Sequence, residues 1–403
     1  LGSEPPIGVR AWDGTRAGPS DAPTLVLRSP RALRRLLSRP GELGIARAYV
    51  TGDIDIEGDI DDALRRVWKL AKQRPAARLV TPVTMVRLAV TAARVGALGP
   101  VPRTPEIEAR VGGRAHTRRR DREVIAHHYD TSNEFYELLL DASMAYSCAY
   151  WTPETADVDL DTAQRAKYDL VCRKLGLAPG MSLLDVGCGW GGLAIHAARH
   201  YGVSVVAVTL SNEQLASAQA RVLAADLGGV VELRLADYRD IGDARFDAVS
   251  TIEMGEHVGA GNYPNFAGLL CRLARPGGRV LVQQMSRHGR HPGGGAFIER
   301  YVAPDMHMRP VGQTVGLIED AGLEVRDVHA LRENYTRTIR AWRDRLEARW
   351  EDAVGLLGAE RARMWRMYLI GAALAFEQGR MGVDQILAVR PGNAAEAPAQ
   401  PQR

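Results

Sequence analysis

The chain has little of what would make a secreted, metal-built or membrane-spanning protein. Its four cysteines (Cys148, Cys172, Cys188, Cys271) are far apart and form no C-x-x-C pair. That argues against a disulfide framework or a cysteine metal site, and fits reduced thiols in the cytoplasm. No apolar run is long enough to cross a bilayer, and the opening residues lack a basic-then-apolar signal pattern. Aromatic residues are only 6% of the chain and are not interleaved with basic ones, so a nucleic-acid strip is not expected. Lysine is scarce as well. The net charge of +4 rests almost wholly on arginine, and suits an anionic membrane surface without requiring one.

Against these absences stands one dense stretch, Leu183-Leu184-Asp185-Val186-Gly187-Cys188-Gly189-Trp190-Gly191-Gly192. An apolar run stops at an acid, a glycine-rich turn follows, and a helix opens near Leu193. Strand, glycine turn and helix are what a nucleoside-bearing ligand needs at the carboxyl edge of a parallel sheet. A dinucleotide site would want G-x-G-x-x-G and an acid about 20 residues further on. Here the acid precedes the turn, and the next strand ends in Thr209. This placement resembles the D-x-G-x-G-x-G turn of S-adenosylmethionine-dependent methyltransferases, which holds a methionine tail and not a pyrophosphate.

The 403 residues allow one large domain and a smaller one. Residues 1–75 read as a small α/β accessory domain for lipid handling. It has a loose start, a strand at Thr24–Arg28, a helix capped by Ser29-Pro30, and helices at Glu42–Val50 and Ile60–Gln73. Residues 76–122 combine an apolar helix, whose arginines can snorkel in a membrane interface, with a linker and the basic run Arg114–Arg122. From residue 123 to 390, strands alternate with helices at a spacing that predicts a doubly wound, mostly parallel sheet. Two long helices, Thr338–Leu357 and Ala359–Gln378, are expected to close it. Residues 391–403 read as a disordered tail.

Tyr146-Ser147-Cys148, the glycine turn, Thr209-Leu210-Ser211 with Gln214, and Glu256-His257-Val258-Gly259 occur in an order that resembles the cyclopropane fatty acid synthase family. That family includes mycolic acid methyltransferases and fatty-acid methylene-branching enzymes. The resemblance implies a seven-stranded-type methyltransferase sheet and transfer of a methyl group to the double bond of an unsaturated, oleoyl-type phospholipid acyl chain. It implies cofactor contacts from Tyr129, Tyr146, Ser147, Asp185, Gly187 and Gly189. Thr209 and Gln214 would bind the ribose, Asp237 and Tyr238 would flank the adenine, and Ile252 would pack near it. Relatives hold a bicarbonate as base, and its ligands map onto Cys148, Glu256, the backbone near Met285, and Tyr335. His128 is a further catalytic candidate, although His127-His128 also reads as a polar helix start. The resemblance implies no metal ligands, a homodimer, and a protein peripheral to the inner face of an anionic membrane.

One position departs from the cyclopropane-type pattern. Gln283, in Val282-Gln283-Gln284-Met285-Ser286, stands where a histidine is expected, and an amide cannot titrate near neutral pH. Methyl transfer leaves a carbocation on the chain, which the aromatic faces of Tyr129, Phe135, Tyr150, Trp151 or Tyr335 are candidates to steady. Prompt deprotonation closes a cyclopropane. A slower base lets a hydride shift first and yields a methylene branch, which a separate reductase would saturate. The methylene outcome is the expectation, with cyclopropane synthesis as the alternative. A silent lipid-binding protein and a small-molecule or nucleic-acid methyltransferase are the competing readings.

Overall fold

Alternating apolar positions at Leu25 and Leu27, and at Ile54 and Ile56, build a small sheet ahead of the main one. The structure is a computed structural model describing residues 5–73, 90–97, 99–109, 115–118, 120–121, 132–153, 158–242, 244–288 and 293–392. Strands β1 (Gly8–Arg10), β2 (Arg16–Ala17), β3 (Thr24–Leu27) and β4 (Ile54–Glu57) lie in the order β2-β1-β3-β4. Helices α1 (Pro30–Ser38), α2 (Glu42–Val50) and α3 (Ile60–Gln73) lie where the sequence periodicity placed them. The first two strands fall in the stretch read as a loose start. They are only three and two residues long, and β1 owes its pairing to β3, which no local pattern reports.

The larger domain opens with α4 (Asn133–Leu139), capped by the Ser132 side chain, and α5 (Leu160–Leu175), which Asp159 caps and Gly176 ends in a left-handed turn. Then follow β5 (Ser182–Val186), α6 (Gly192–Tyr201), β6 (Ser204–Thr209), α7 (Asn212–Ala224), β7 (Val231–Leu235) and β8 (Phe246–Ile252). After these come α8 (Tyr263–Leu273), β9 (Ala274–Arg287), α9 (Val311–Asp320) and β10 (Glu324–Ala330). The chain closes with α10 (Arg332–Ala348), α11 (Trp350–Leu357), α12 (Ala359–Glu377) and β11 (Met381–Val389). Two expected helices are therefore three. Arg349 and Gly358 interrupt them, and the chain returns as a strand that the sequence reading did not foresee.

The seven strands lie in the order β7-β6-β5-β8-β9-β11-β10. All neighbours are parallel except β11, which runs antiparallel between β9 and β10. Its last seven residues are buried, so a chain end becomes a central strand. Strand order reverses between β5 and β8, and the crevice outside the carboxyl ends of those strands is where open α/β sheets bind ligands.

The few aromatic residues are concentrated beside that crevice. Phe135, Tyr136, Trp190, Tyr335, Trp342, Trp365 and Phe376 belong to one buried cluster, and Phe135 and Trp365 have ring centroids 5.0 Å apart. Pairs of this kind add about 0.5–1.5 kcal/mol each beyond their buried area. The small domain docks on α12, where Arg363 donates to the carbonyls of Tyr49 (2.6 Å) and Ile54 (2.8 Å).

Much of the expected 76–122 segment lies outside the described residues, as does the tail from residue 393. Within its basic run, Arg118 pairs with Asp240 and Arg120 with Asp305, each at 2.8 Å. These two arginines are therefore engaged by the larger domain. Among the described residues no helix is long and apolar enough to cross a membrane.

Candidate active site

β5 delivers its acid and its turn to the crevice together. Gly187 takes φ +86°, and a Cβ there would lie 3.2 Å from the Met254 side chain, so any L side chain would meet both backbone strain and crowding. The amides of Gly187 and Cys188 both donate to the Val208 carbonyl at 3.0 Å, which locks the turn onto β6. Asp185 is buried and accepts from Ser250 at 2.8 Å. Burial pushes its carboxyl up to about 6, against the opposing Ser250 hydrogen bond and the charge of Lys167.

One pocket gathers most of the expected cofactor contacts. Tyr146, Ser147, Asp185, Gly187 and Gly189 form one wall. Thr209, Gln214, Tyr238 and Ile252 form another. Thr209 donates to Gln214 Oε1 at 2.8 Å, so the amide NH2 of Gln214 is the polar group this bond leaves over. Asp237 does not line the pocket. It caps the turn at Tyr238 and is clasped by Arg239, which donates to it through Nε (2.7 Å) and Nη2 (2.6 Å). Burial raises its carboxyl, but these bonds outweigh that and hold it below the usual range. Tyr129 and His128 lie outside the described residues.

The other half of the pocket is organised by a residue the sequence reading passed over. Glu253, just past the end of β8, lines the pocket at φ +52°. Its Oε1 accepts from the Cys148 backbone N–H (2.8 Å) and from Gln283 Nε2 (2.8 Å), and its Oε2 accepts from the Tyr335 hydroxyl (2.6 Å). Gln385 donates to Gln283 Oε1 at 2.9 Å, which fixes the end of the amide that faces Glu253. Three expected catalytic residues thus meet on one carboxylate. Burial raises the proton affinity of Glu253, and these three donors with Lys167 oppose it.

Cys148 contributes its backbone and not its sulfur. The thiol is fully buried, donates to the Ala149 carbonyl, and is pushed well up by burial and by Glu253. Glu256 is buried and does not line the pocket. Neither of its carboxyl oxygens has a hydrogen-bond partner among the described residues. Burial and the neighbouring Glu253 charge push it up to about 8, although nearby amides and Arg309 favour its ionised form. The three donors on Glu253 favour its ionised form over that of Glu256, whose oxygens have none.

Lys167 is a second residue the sequence did not mark. Fully buried at the pocket wall, it donates to Ser147 Oγ at 3.0 Å, and burial brings it down to about 8. The aromatic side chains facing the pocket are Tyr146, Tyr168, Trp190 and Tyr238. Phe135 packs on Trp365, Tyr150 on His329, and Trp151 lies beneath Arg337, so these rings are taken up by packing. Among the described residues no cluster of histidine, cysteine or acidic side chains is placed to hold a metal ion.

A seven-stranded sheet with this turn at its switch point, an acid closing the first strand and a pocket over both defines an S-adenosylmethionine-dependent methyltransferase. The mycolic acid cyclopropane synthetase family model matches residues 116–386, and the chain belongs to that family. A Mycobacterium tuberculosis protein named as a probable fatty acid methyltransferase is 38% identical over 395 residues, which cover 96% of this chain and 91% of the relative. The tuberculostearic acid methyltransferase UfaA1 of the same organism is 34% identical over 96% of this chain and 88% of its own length. The crystal structure of the mycolic acid cyclopropane synthase CmaA1, complexed with SAH and CTAB, superposes with a TM-score of 0.62 at 32% identity, covering 66% of this chain and 98% of that one. The protein is thus a lipid-modifying methyltransferase.

Proposed function

We propose that the enzyme adds one carbon to the double bond of an oleoyl-type acyl chain on a membrane phospholipid and releases a methylene-branched chain. The carrying observation is Gln283, which donates to the pocket carboxylate where the cyclopropane-type pattern has an imidazole. S-adenosylmethionine, when bound, supplies an electrophilic methyl group on a positively charged sulfur. The Gly187 turn and Asp185 would seat its methionine end, the Thr209–Gln214 pair its ribose, and Tyr238 its adenine.

An alkene is a poor nucleophile, so the residues around it must align it and keep water out. The transfer leaves a carbocation on the acyl chain, and Tyr146 and Trp190, which line the pocket, would steady it. A base flanked by an amide lacks the imidazole that would take its proton onward from that side. Deprotonation is then slow enough for a hydride to shift first, and the methylene product follows. UfaA1, named for tuberculostearic acid methylation, supports this branch-forming outcome. The family description and CmaA1 favour cyclopropane formation as the second reading.

The same reading places a homodimer at an anionic membrane surface, with a separate reductase saturating the methylene. Purified protein, oleoyl phospholipid vesicles and labelled S-adenosylmethionine test it. Vinylidene proton signals in the labelled lipid are expected. Upfield cyclopropane protons would select the second reading, and unlabelled lipid would overturn both.

A further inference from the structure

The family resemblance implies bicarbonate as the base, held by Cys148, Glu256, the backbone near Met285, and Tyr335. The residues present do not fit that group. The Cys148 amide and the Tyr335 hydroxyl, joined by Gln283, already converge on the two oxygens of Glu253 at 2.6–2.8 Å. A carboxylate offers the same O–C–O fork as bicarbonate. A second anion seated there would compete for those donors, and would face Glu253 with Glu256 buried close by.

The backbone points the same way. Glu253 sits at φ +52°, which L residues with long side chains adopt rarely, and its amide is tied to the Gln283 carbonyl at 2.6 Å. Strain of this kind persists where the surroundings over-determine a functional geometry. Relaxing it by any other backbone conformation would carry the carboxylate away from its three donors.

We propose that Glu253 is the general base of this enzyme, its carboxylate standing in place of a bound bicarbonate. The assignment rests on the acyl-chain reading above. In the step, a C–H bond of the newly attached methyl group breaks and its proton binds a Glu253 oxygen. The electron pair closes onto the cationic carbon, as the C=C bond of a methylene or the third ring bond of a cyclopropane. Cation and carboxylate become a neutral lipid and a carboxylic acid. Glu253 then returns its proton to solvent before the next turnover.

The test uses the full chain with vesicles of oleoyl phosphatidylglycerol and labelled S-adenosylmethionine, in buffer stripped of carbon dioxide and again with bicarbonate added. Wild-type turnover is expected to differ by less than about twofold between the two buffers. Glu253→Gly tolerates the positive φ and opens the anion space. It is expected to lose about 100-fold or more and to regain part of that with bicarbonate. Glu253→Gln, whose amide still fills the space, is expected to lose a similar factor and regain none. Isotope-edited infrared spectra with 13C-bicarbonate give a readout apart from turnover: no bound anion on wild type, and a bound band on Glu253→Gly. Calorimetric S-adenosylhomocysteine affinity, within about threefold across all three proteins, shows that the variants are folded. A wild type that stalls without bicarbonate or binds the labelled anion overturns the assignment alone, as does a Glu253→Gly variant with full turnover. A wild type that labels no lipid in either buffer overturns the acyl-chain reading, and the assignment with it.

Discussion

The pocket has two halves built in opposite ways. On the β5–β6 side, Asp185, the glycine turn, Thr209 and Gln214 follow one another along β5, β6 and the start of α7, and their polar groups are held close by: Asp185 by Ser250 of adjacent β8, Thr209 by Gln214. On the β8–β9 side, Cys148, Gln283 and Tyr335 come from three separate segments and converge on the carboxylate of Glu253, and Gln385 from a further strand holds Gln283. A cofactor shared by many enzymes can be held by a contiguous motif. On the proposed mechanism, the residues that set the fate of the carbocation are held instead by the tertiary fold.

The sharpest way to break this division is to damage one half and watch the other. Gly187→Val forces a β-branched residue into φ +86° and against Met254, at about 1–2 kcal/mol of strain before the clash is counted. S-adenosylhomocysteine affinity should fall by about 100-fold or more, read by calorimetry. A variant that binds within tenfold of wild type would mean that the turn is not the cofactor seat.

Tyr335→Phe cuts into the other half. The lost bond is charge-assisted, about 1.5–3 kcal/mol, so kcat at pH 7 should drop roughly 10- to 100-fold while S-adenosylhomocysteine affinity holds. The pH profile carries the sign. Burial already raises Glu253, and Tyr335 is the largest opposing influence. Removing it raises the carboxyl further, so the limb on which activity rises with pH should move to higher pH. An unmoved limb would break the link between Tyr335 and the base.

The same contrast explains what could be read from the sequence. The sheet, the turn, Thr209 and Gln214 were legible because strand periodicity and glycine spacing are local signals. Cys148, Gln283 and Tyr335 were legible through the family motifs, but not what they hold. Glu253 directly follows β8 at the carboxyl edge of the sheet, the position where an acid is worth noting in an open α/β fold. It was overlooked because the Glu256-His257 motif three residues on drew the catalytic reading. Asp237 lies outside the pocket lining because Arg239, two residues away, takes up its carboxylate. β11 was missed because Asp384 and Gln385 interrupt its apolar pattern. Both are buried, and their partners, Ser286 and Gln283, lie about a hundred residues away.

Glu256 offers a smaller effect, in stability rather than rate. Its carboxyl titrates near 4.5 when exposed and near 8 in the fold. With the folded value raised, its favourable contribution is complete below about pH 4.5 and is lost as pH rises toward 8. Glu256→Gln removes that loss, and Lys167, which also titrates near 8, is common to both proteins and cancels. The variant should therefore gain on wild type as pH rises, by a Tm difference of roughly a few degrees at pH 8 that shrinks toward pH 5. A difference independent of pH would place the Glu256 charge elsewhere.

Gln283→His should change the rate least and is the most direct test of the product. A neutral imidazole fits between its two neighbours, donating one N–H to Glu253 and accepting from Gln385 at the other nitrogen. It keeps the carboxylate aimed, so total turnover should stay within about threefold, which is less than 1 kcal/mol in the barrier. Its other tautomer, with the bare nitrogen toward Glu253 and the N–H toward a turned Gln385 amide oxygen, can take up the proton as Glu253 gains it, which shortens the life of the cation. The ratio of cyclopropane to methylene signals in the extracted lipid should rise. If turnover holds and the ratio stays fixed, the timing is set by how the acyl chain is held over Glu253, and the amide serves only to aim the base.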